Sequence, residues 1–233
     1  MKNLHTQMEF FYNTKNWKNY WVKGLKKFIR GKVMDVGTGI GSNLPFYLKL
    51  KKINKLICLE PNKKLFKKLN QSLKKKNLNK VSLKNKQLAK LNMKSKFDTI
   101  IYADVLEHIK NDLNEIKLAI NYLNYEGRLI VLCPSHNFLF TSFDKNVGHY
   151  RRYNKKMFYK LKTPNIKIEK IYYLDSFGFF LSLINKIFLN RNPTKEEIKF
   201  WDRVVVPISI ITDHLLLNLL GKSIICVYKK SIN

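Results

Sequence analysis

The sequence predicts an α/β fold, a doubly wound and mostly parallel sheet, on three observations. Short apolar runs suited to buried strands recur at 33–36, 55–59, 97–102 and 128–133, with polar, helix-length stretches between them. The first run leads straight into Gly37-Thr38-Gly39-Ile40-Gly41-Ser42-Asn43, a glycine turn opening on a polar helix start. An acid, Glu60, stands at the tip of the second run, where such sheets place the carboxylate that accepts hydrogen bonds from both ribose hydroxyls of a bound nucleoside.

A chain of 233 residues can bury a substantial core within one domain. Its 45% hydrophobic and 13% aromatic content excludes general disorder. The formal charge of +29 comes from 45 Lys+Arg against 16 Asp+Glu. These lysines are scattered and mixed with asparagine along the whole chain, which favours solvated faces over a nucleic-acid patch. An anionic membrane surface is the other polyanion to weigh. Cys58, Cys133 and Cys226 are far apart, each in a strand-like stretch, and read as core thiols of a reducing compartment. Residues 1–10 hold no apolar run resembling a signal peptide. The longest apolar segment, 204–220, is interrupted by Pro207, Asp213 and His214 and is not expected to span a membrane. The expected location is cytoplasmic, with peripheral contact at the inner membrane surface as an option.

In chain order, residues 4–30 read as helical, with Trp17, Trp21, Leu25 and Phe28 on one face. Asn43-Leu44-Pro45 suits a helix start, since proline is tolerated in a first turn. Residues 55–59 form the second strand, and Asn62 can cap the helix carrying Leu65, Phe66, Leu69 and Leu73. The lysine-asparagine run 74–80 reads as a solvated helix end and loop, and 81–83 as a weak third strand. After the fourth strand, 97–102, a helix has Leu113, Ile116, Ile120 and Leu123 on one face and Gly127 as its stop. Strand five follows at 128–133. Residues 134–154 then read as a long polar-aromatic loop, 155–161 as a short helix and 166–173 as a sixth strand. An apolar, helix-like insertion fills 175–220, and 223–229 make a final strand. The expected organisation is a single domain over 1–233: N-terminal helices to 31, a cofactor-binding core over 32–133, and an acceptor-side half over 134–233.

The spacing of the glycines separates two cofactors. A dinucleotide fingerprint needs glycine at 42, where this chain has Ser42, so a nicotinamide-dependent dehydrogenase is disfavoured. Asp35-Val36-Gly37-Thr38-Gly39-Ile40-Gly41 instead resembles motif I of the class I S-adenosylmethionine-dependent methyltransferases, and Asp104-Val105-Leu106-Glu107-His108-Ile109 resembles their motif IV. Gly127-Arg128-Leu129-Ile130-Val131 is similar to their strand five, with Glu126 replacing one glycine. Pro134-Ser135-His136, Gly148-His149-Tyr150-Arg151-Arg152-Tyr153, Trp201-Asp202-Arg203 and Gly221-Lys222-Ser223 resemble a bacterial subgroup that accompanies cell-envelope glycosylation proteins. The resemblance implies a seven-stranded Rossmann-like sheet with an antiparallel last strand. It implies S-adenosylmethionine as cofactor, held by Asp35, Gly37, Thr38, Gly39, Gly41, Glu60, Pro61, Leu88 and Asp104 to Leu106. The acid that such proteins place near the adenine falls by register at Gln87, whose amide oxygen can also accept that bond.

The expected reaction is in-line methyl transfer to oxygen (or nitrogen) of a small-molecule or lipid-linked acceptor. Alignment of the reactants supplies on the order of 7–11 kcal/mol of such a barrier. An alcohol acceptor gains roughly 10²–10⁴-fold from a general base, and His149 is the first choice, with His108 second. Tyr150, Arg151, Arg152 and Tyr153 suit an anionic group on the acceptor, since the guanidinium fork matches carboxylate or phosphate. Asp104-x-x-Glu107-His108 also resembles the acidic-histidine metal site of some ubiquinone-pathway O-methyltransferases, which have Glu first. No metal is assigned here, and Glu107 and His108 are expected to orient their loop. The alternatives are an RNA methyltransferase, suggested by charge alone, and a non-catalytic protein that binds S-adenosylmethionine.

Overall fold

Among the described residues, seven strands form one sheet in the order β3–β2–β1–β4–β5–β7–β6. The computed structural model describes residues 11–74, 79–189 and 191–231. β1 (Gly31–Val36), β2 (Ile53–Leu59), β3 (Val81–Lys84), β4 (Phe97–Ala103) and β5 (Leu123–Pro134) pair in parallel. β7 (Ser223–Lys230) runs antiparallel to both β5 and β6 (Ile166–Leu174). The expected Rossmann-like sheet with its reversed last strand is therefore present.

Both faces of the sheet are covered, which is why its central strands are apolar without alternation. Successive side chains point to opposite faces. Met34, Ile57, Ile100 and Leu129 meet α4 (Asp112–Asn121) through Ile116 and Ile120. On the other face Val33, Leu56, Ile101 and Ile130 meet α1 (Lys15–Leu25) through Trp17, Trp21 and Leu25. Each such side chain contributes about 1.5–3 kcal/mol when fully buried.

The aromatic stripe carried by α1 is docked core. The helix is shorter than expected within the described residues, and residues 4–10 lie outside them. Thr14 gives α1 no side-chain cap. Asp202 does so from the far end of the chain, with Oδ2 accepting from the Lys15 and Asn16 amides (2.9 and 3.2 Å) and Oδ1 from Trp17 (2.9 Å). After the glycine turn, α2 (Leu44–Tyr47) is one turn with Pro45 at its start. α3 (Lys63–Lys74) is capped by Asn62, whose Oδ1 accepts from the Lys64 and Leu65 amides (3.0 and 3.2 Å). Of the lysine-asparagine run, residues 75–78 lie outside the described residues.

Three expectations need correction. α4 ends at Asn121, not at Gly127, and Leu113 is exposed. Leu123 belongs to β5, and Gly127 lies within that strand, at a position where a Cβ would sit 2.8 Å from the Asn124 carbonyl oxygen. Residues 134–154 are also not one loop. They hold α5 (Ser142–Val147), which forms because Asp144 Oδ2 turns back to accept from the Thr141 amide (2.9 Å). Beyond it come α6 (Lys155–Lys160) and β6, then the insertion as α7 (Ser176–Ile184), α8 (Lys195–Phe200) and α9 (Val206–Leu215).

Candidate active site

The order of the strands reverses between β1 and β4, and the crevice beyond their carboxyl ends is where open α/β sheets take ligands. The glycine turn forms one wall. Gly37 and Gly39 have φ of 71° and 62°, a left-handed backbone that a side chain resists. A Cβ on Gly37 would also strike Val105 at 2.7 Å, so the β1 and β4 loops touch only because glycine is there. The Gly39 amide donates to Glu60 Oε2 (2.7 Å), and the Asn62 amide to Glu60 Oε1 (2.8 Å). Glu60 is thus locked against the turn with its remaining lone pairs beside the crevice. Burial pushes its carboxyl up, and the two amide hydrogen bonds pull it back.

Asp35, at the carboxyl end of β1, is buried, and Tyr47 from α2 donates to its Oδ1 at 3.5 Å. Burial raises the Asp35 pKa to about 7, against the lowering effect of Thr38 and Tyr47. On the opposite wall Asp104 has φ 56°, a strained turn that aims the loop after β4 across the crevice. Its side chain is open to solvent yet closely walled by protein. That partial desolvation raises its pKa to about 6, with His149, Lys18 and Lys222 pulling the other way.

The loop then makes a 3₁₀ turn over Leu106–His108 and meets the segment after α5. The Tyr150 amide donates to the Glu107 carbonyl (2.8 Å), and the His108 and His149 rings stand edge to face with centroids 4.6 Å apart. His149 is oriented from behind, its Nδ1 lying 2.8 Å from Asp144 Oδ1. Asp144 in turn takes both arms of Arg152 (2.9 and 2.8 Å). Although burial alone would raise the Asp144 pKa, hydrogen bonds from His149 and Arg152 hold it well below the usual carboxylate range. An ionised Asp144 fixes the proton on His149 Nδ1 and leaves Nε2 as the reactive nitrogen. Burial, then the neighbouring His149, lowers the His108 pKa to about 4, so His108 is a neutral imidazole.

The structure does not bring every expected residue to the cleft. Arg152 and Tyr153 are buried, the former spent on Asp144 and the latter donating to Asp112 Oδ2 (2.8 Å). Arg151 is occupied by Asp112 (2.9 Å) and by the Ile109 and Lys110 carbonyls (2.8 Å each). This segment expected to grip the acceptor is instead framework that holds His149, and only Tyr150 of it is exposed. Pro61 and Gln87 are exposed, while Leu88 is buried. Sequence reasoning missed Lys222, Lys18 and Tyr47. The Lys222 ammonium lies over the Trp201 ring (4.9 Å) and makes no hydrogen bond among the described residues. The Gly221-Lys222-Ser223 resemblance includes it but assigns it no role.

Residues 34–129 match the family model of a methyltransferase domain. No curated protein sequence matches the chain. Several solved structures share the fold. An S-adenosylmethionine-dependent methyltransferase from Clostridium acetobutylicum superposes with a TM-score of 0.60 at 14% identity, over 94% of this chain and 93% of its own. The N-methyltransferase NodS of Bradyrhizobium japonicum in complex with S-adenosylhomocysteine gives 0.58 at 9% identity, over 94% and 88%. Coclaurine N-methyltransferase bound to N-methylheliamine and S-adenosylhomocysteine gives 0.59 at 14%, over 85% and 67%.

Proposed function

We propose that the chain is a class I S-adenosylmethionine-dependent methyltransferase, a reading supported by the methyltransferase-domain match over residues 34–129, and that it methylates an oxygen of a lipid-linked, anionic small molecule. The observation that carries the cofactor half is the Gly39–Glu60 hydrogen bond at 2.7 Å. It sets a carboxylate for the ribose hydroxyls beside a backbone turn open to the methionyl end. Asp35 faces that end as counter-charge for the cofactor's ammonium group. Asp104, Val105 and Leu106 close the opposite wall.

Because the sulfonium is already activated, the protein's task is to align the acceptor and exclude water. His149 is the group that receives the acceptor, since Asp144 fixes its tautomer and leaves Nε2 free. His108 packs against it and limits its rotation. Lys222 takes over the anion-recognition role expected of Arg151 and Arg152, because its ammonium makes no hydrogen bond among the described residues and only stacks on Trp201, whereas their guanidinium groups are held by Asp112 and Asp144.

The acceptor's lipid character rests on the insertion. Phe188, Ile211, Leu215 and Leu217 are 76%, 65%, 76% and 76% exposed on α7, α9 and the turns that follow them. No helix among the described residues is long and apolar enough to cross a membrane. An apolar surface of this kind on a strongly basic protein suits the headgroup boundary of an anionic bilayer. Two measurements test the reading. Calorimetry is expected to show S-adenosylmethionine binding that Glu60→Ala weakens at least about tenfold, as loss of a charge-assisted pair predicts. Incubation with labelled methyl donor and fractionated cell extract is expected to label the lipid pool. Label in RNA would overturn the acceptor class, and absence of cofactor binding would overturn the reading at its root.

A further inference from the structure

We propose that Glu107, His108 and His149 form a binding site for one divalent first-row metal ion, of the zinc kind, at the acceptor end of the crevice. Each of the three offers one donor atom, and these atoms all lie within 4.8 Å of one another. Glu107 is the telling member. Its side chain is fully buried, and among the described residues neither carboxylate oxygen has a hydrogen-bond partner of good geometry, the Cys133 thiol being the polar group beside it. Folded proteins rarely leave such a group unsatisfied, since an unpartnered buried acceptor costs about 1–3 kcal/mol and a charged one more. The nearest cationic candidate is His149, whose Nε2 is 3.9 Å from Glu107 Oε1, too far for a hydrogen bond and a fitting span for two ligands of one ion.

The surroundings are those of a built ligand set. Asp144 fixes the proton on His149 Nδ1, so Nε2 presents its lone pair towards Glu107. Arg152 fixes Asp144 in turn. A carboxylate behind an imidazole is the outer-shell arrangement that metal-ligating histidines need. The two segments are laced by the Tyr150 amide on the Glu107 carbonyl, which sets the donors before any ion arrives. Two imidazoles and one carboxylate suit zinc, with coordination left open for a further oxygen. His149 lies outside the motif resemblance to metal-dependent O-methyltransferases, and Asp104 lies outside this cluster. The ligand set is thus particular to the geometry seen here. With the ion bound, His149 Nε2 is a ligand and no longer free to receive the acceptor, so the ion takes over that role as an acid towards the acceptor's hydroxyl, and this part rests on the proposed methyl transfer. The ion's binding does not.

Zinc and cobalt titrations of the full chain test the site, with calorimetry for zinc and ligand-field absorption for cobalt. One equivalent is expected to bind. Glu107→Gln, which keeps the shape of the buried side chain, is expected to abolish it. Asp144→Asn is expected to weaken it about 10–100-fold. His108→Gln, nearer the surface, is expected to abolish the cobalt spectrum without disturbing the fold, and circular dichroism checks that. No binding by folded wild type, or binding unchanged in Glu107→Gln and His108→Gln, would overturn the site. A thiolate-to-cobalt band would overturn this ligand set by bringing in Cys133, whose thiol lies beside Glu107. Cofactor binding measured on the same sample keeps the two proposals apart. If S-adenosylmethionine binds and zinc does not, only the metal site falls. Zinc without S-adenosylmethionine would sink the methyl-transfer reading instead.

Discussion

Asp35 shows how a single buried side chain ties cofactor binding to pH. In the unfolded chain it ionises at its ordinary pKa of 3.8, and in the fold at about 7. Between these values folding takes up a proton, so the ligand-free protein loses stability as pH rises through that window. A cation placed against Asp35 reverses the preference and drives the proton off. The proposed ammonium contact therefore predicts that S-adenosylmethionine affinity climbs with pH, approaching tenfold per unit well below 7, and flattens above it. Calorimetry at pH 6 in two buffers of different ionisation enthalpy is expected to show nearly one proton released per cofactor bound. Affinity independent of pH would mean that the ammonium lies elsewhere. This carboxylate was visible in the sequence because the motif around it is local. Arg151 and Arg152 misled for the opposite reason. An arginine pair beside two tyrosines looks like a surface for anions until Asp112 and Asp144 are seen to occupy it, and nothing in the local pattern says so.

At the scale of elements, what could be read was what neighbouring residues decide. β1, β2 and β4 were legible because each is an apolar run closed by glycine or acid. α3 was legible because Asn62 caps it from one residue away. Gly127 misled because Leu123 continues the helical spacing of Ile116 and Ile120, although the chain has already turned into β5 at that point. The adjacent Glu126 holds φ 60° where the resembled pattern has glycine, a left-handed residue that forces the turn. α1 is the clearest case of a boundary set from afar. Its first amides find their acceptor in Asp202, 187 residues along the chain from Lys15. We predict that Asp202→Ala destabilises the protein by about 2 kcal/mol, the upper range for loss of a helix cap. Asp202→Asn, which keeps acceptor oxygen without the charge, is expected to recover part of that. Urea unfolding measures both, and a wild-type midpoint for Asp202→Ala would show that α1 needs no help from the insertion.

For the whole molecule, the question is how a charge of +29 and an exposed apolar insertion coexist in one chain. Self-association would bury the apolar side chains, but two copies at +29 repel, and salt screens that repulsion only beyond about 8 Å at physiological ionic strength. An anionic bilayer removes both difficulties at once. On the proposed reading it would accept Phe188, Ile211 and Leu217 into its boundary while its headgroups neutralise basic side chains of the chain. Burial of apolar surface contributes about 25 cal/mol per Å², so each large side chain adds a kilocalorie or more, and each basic residue near the surface adds about 1 kcal/mol. Neither contribution is strong alone. Binding should therefore need both, and this gives a prediction with two independent arms. Vesicles rich in phosphatidylglycerol are expected to carry the protein upward in a flotation gradient, and phosphatidylcholine vesicles are not. Raising the salt from 0.1 to 1 M is expected to weaken the association, because exposed charges are screened within about 3 Å at the higher value. Replacing Phe188, Ile211 and Leu217 by glutamate is expected to abolish it at any salt, while S-adenosylmethionine affinity stays unchanged because these side chains are exposed on the insertion and are not among those proposed to hold the cofactor. A triple variant that floats like wild type would assign the insertion to another partner. A protein that binds neutral vesicles equally would leave the charge without a role at the membrane.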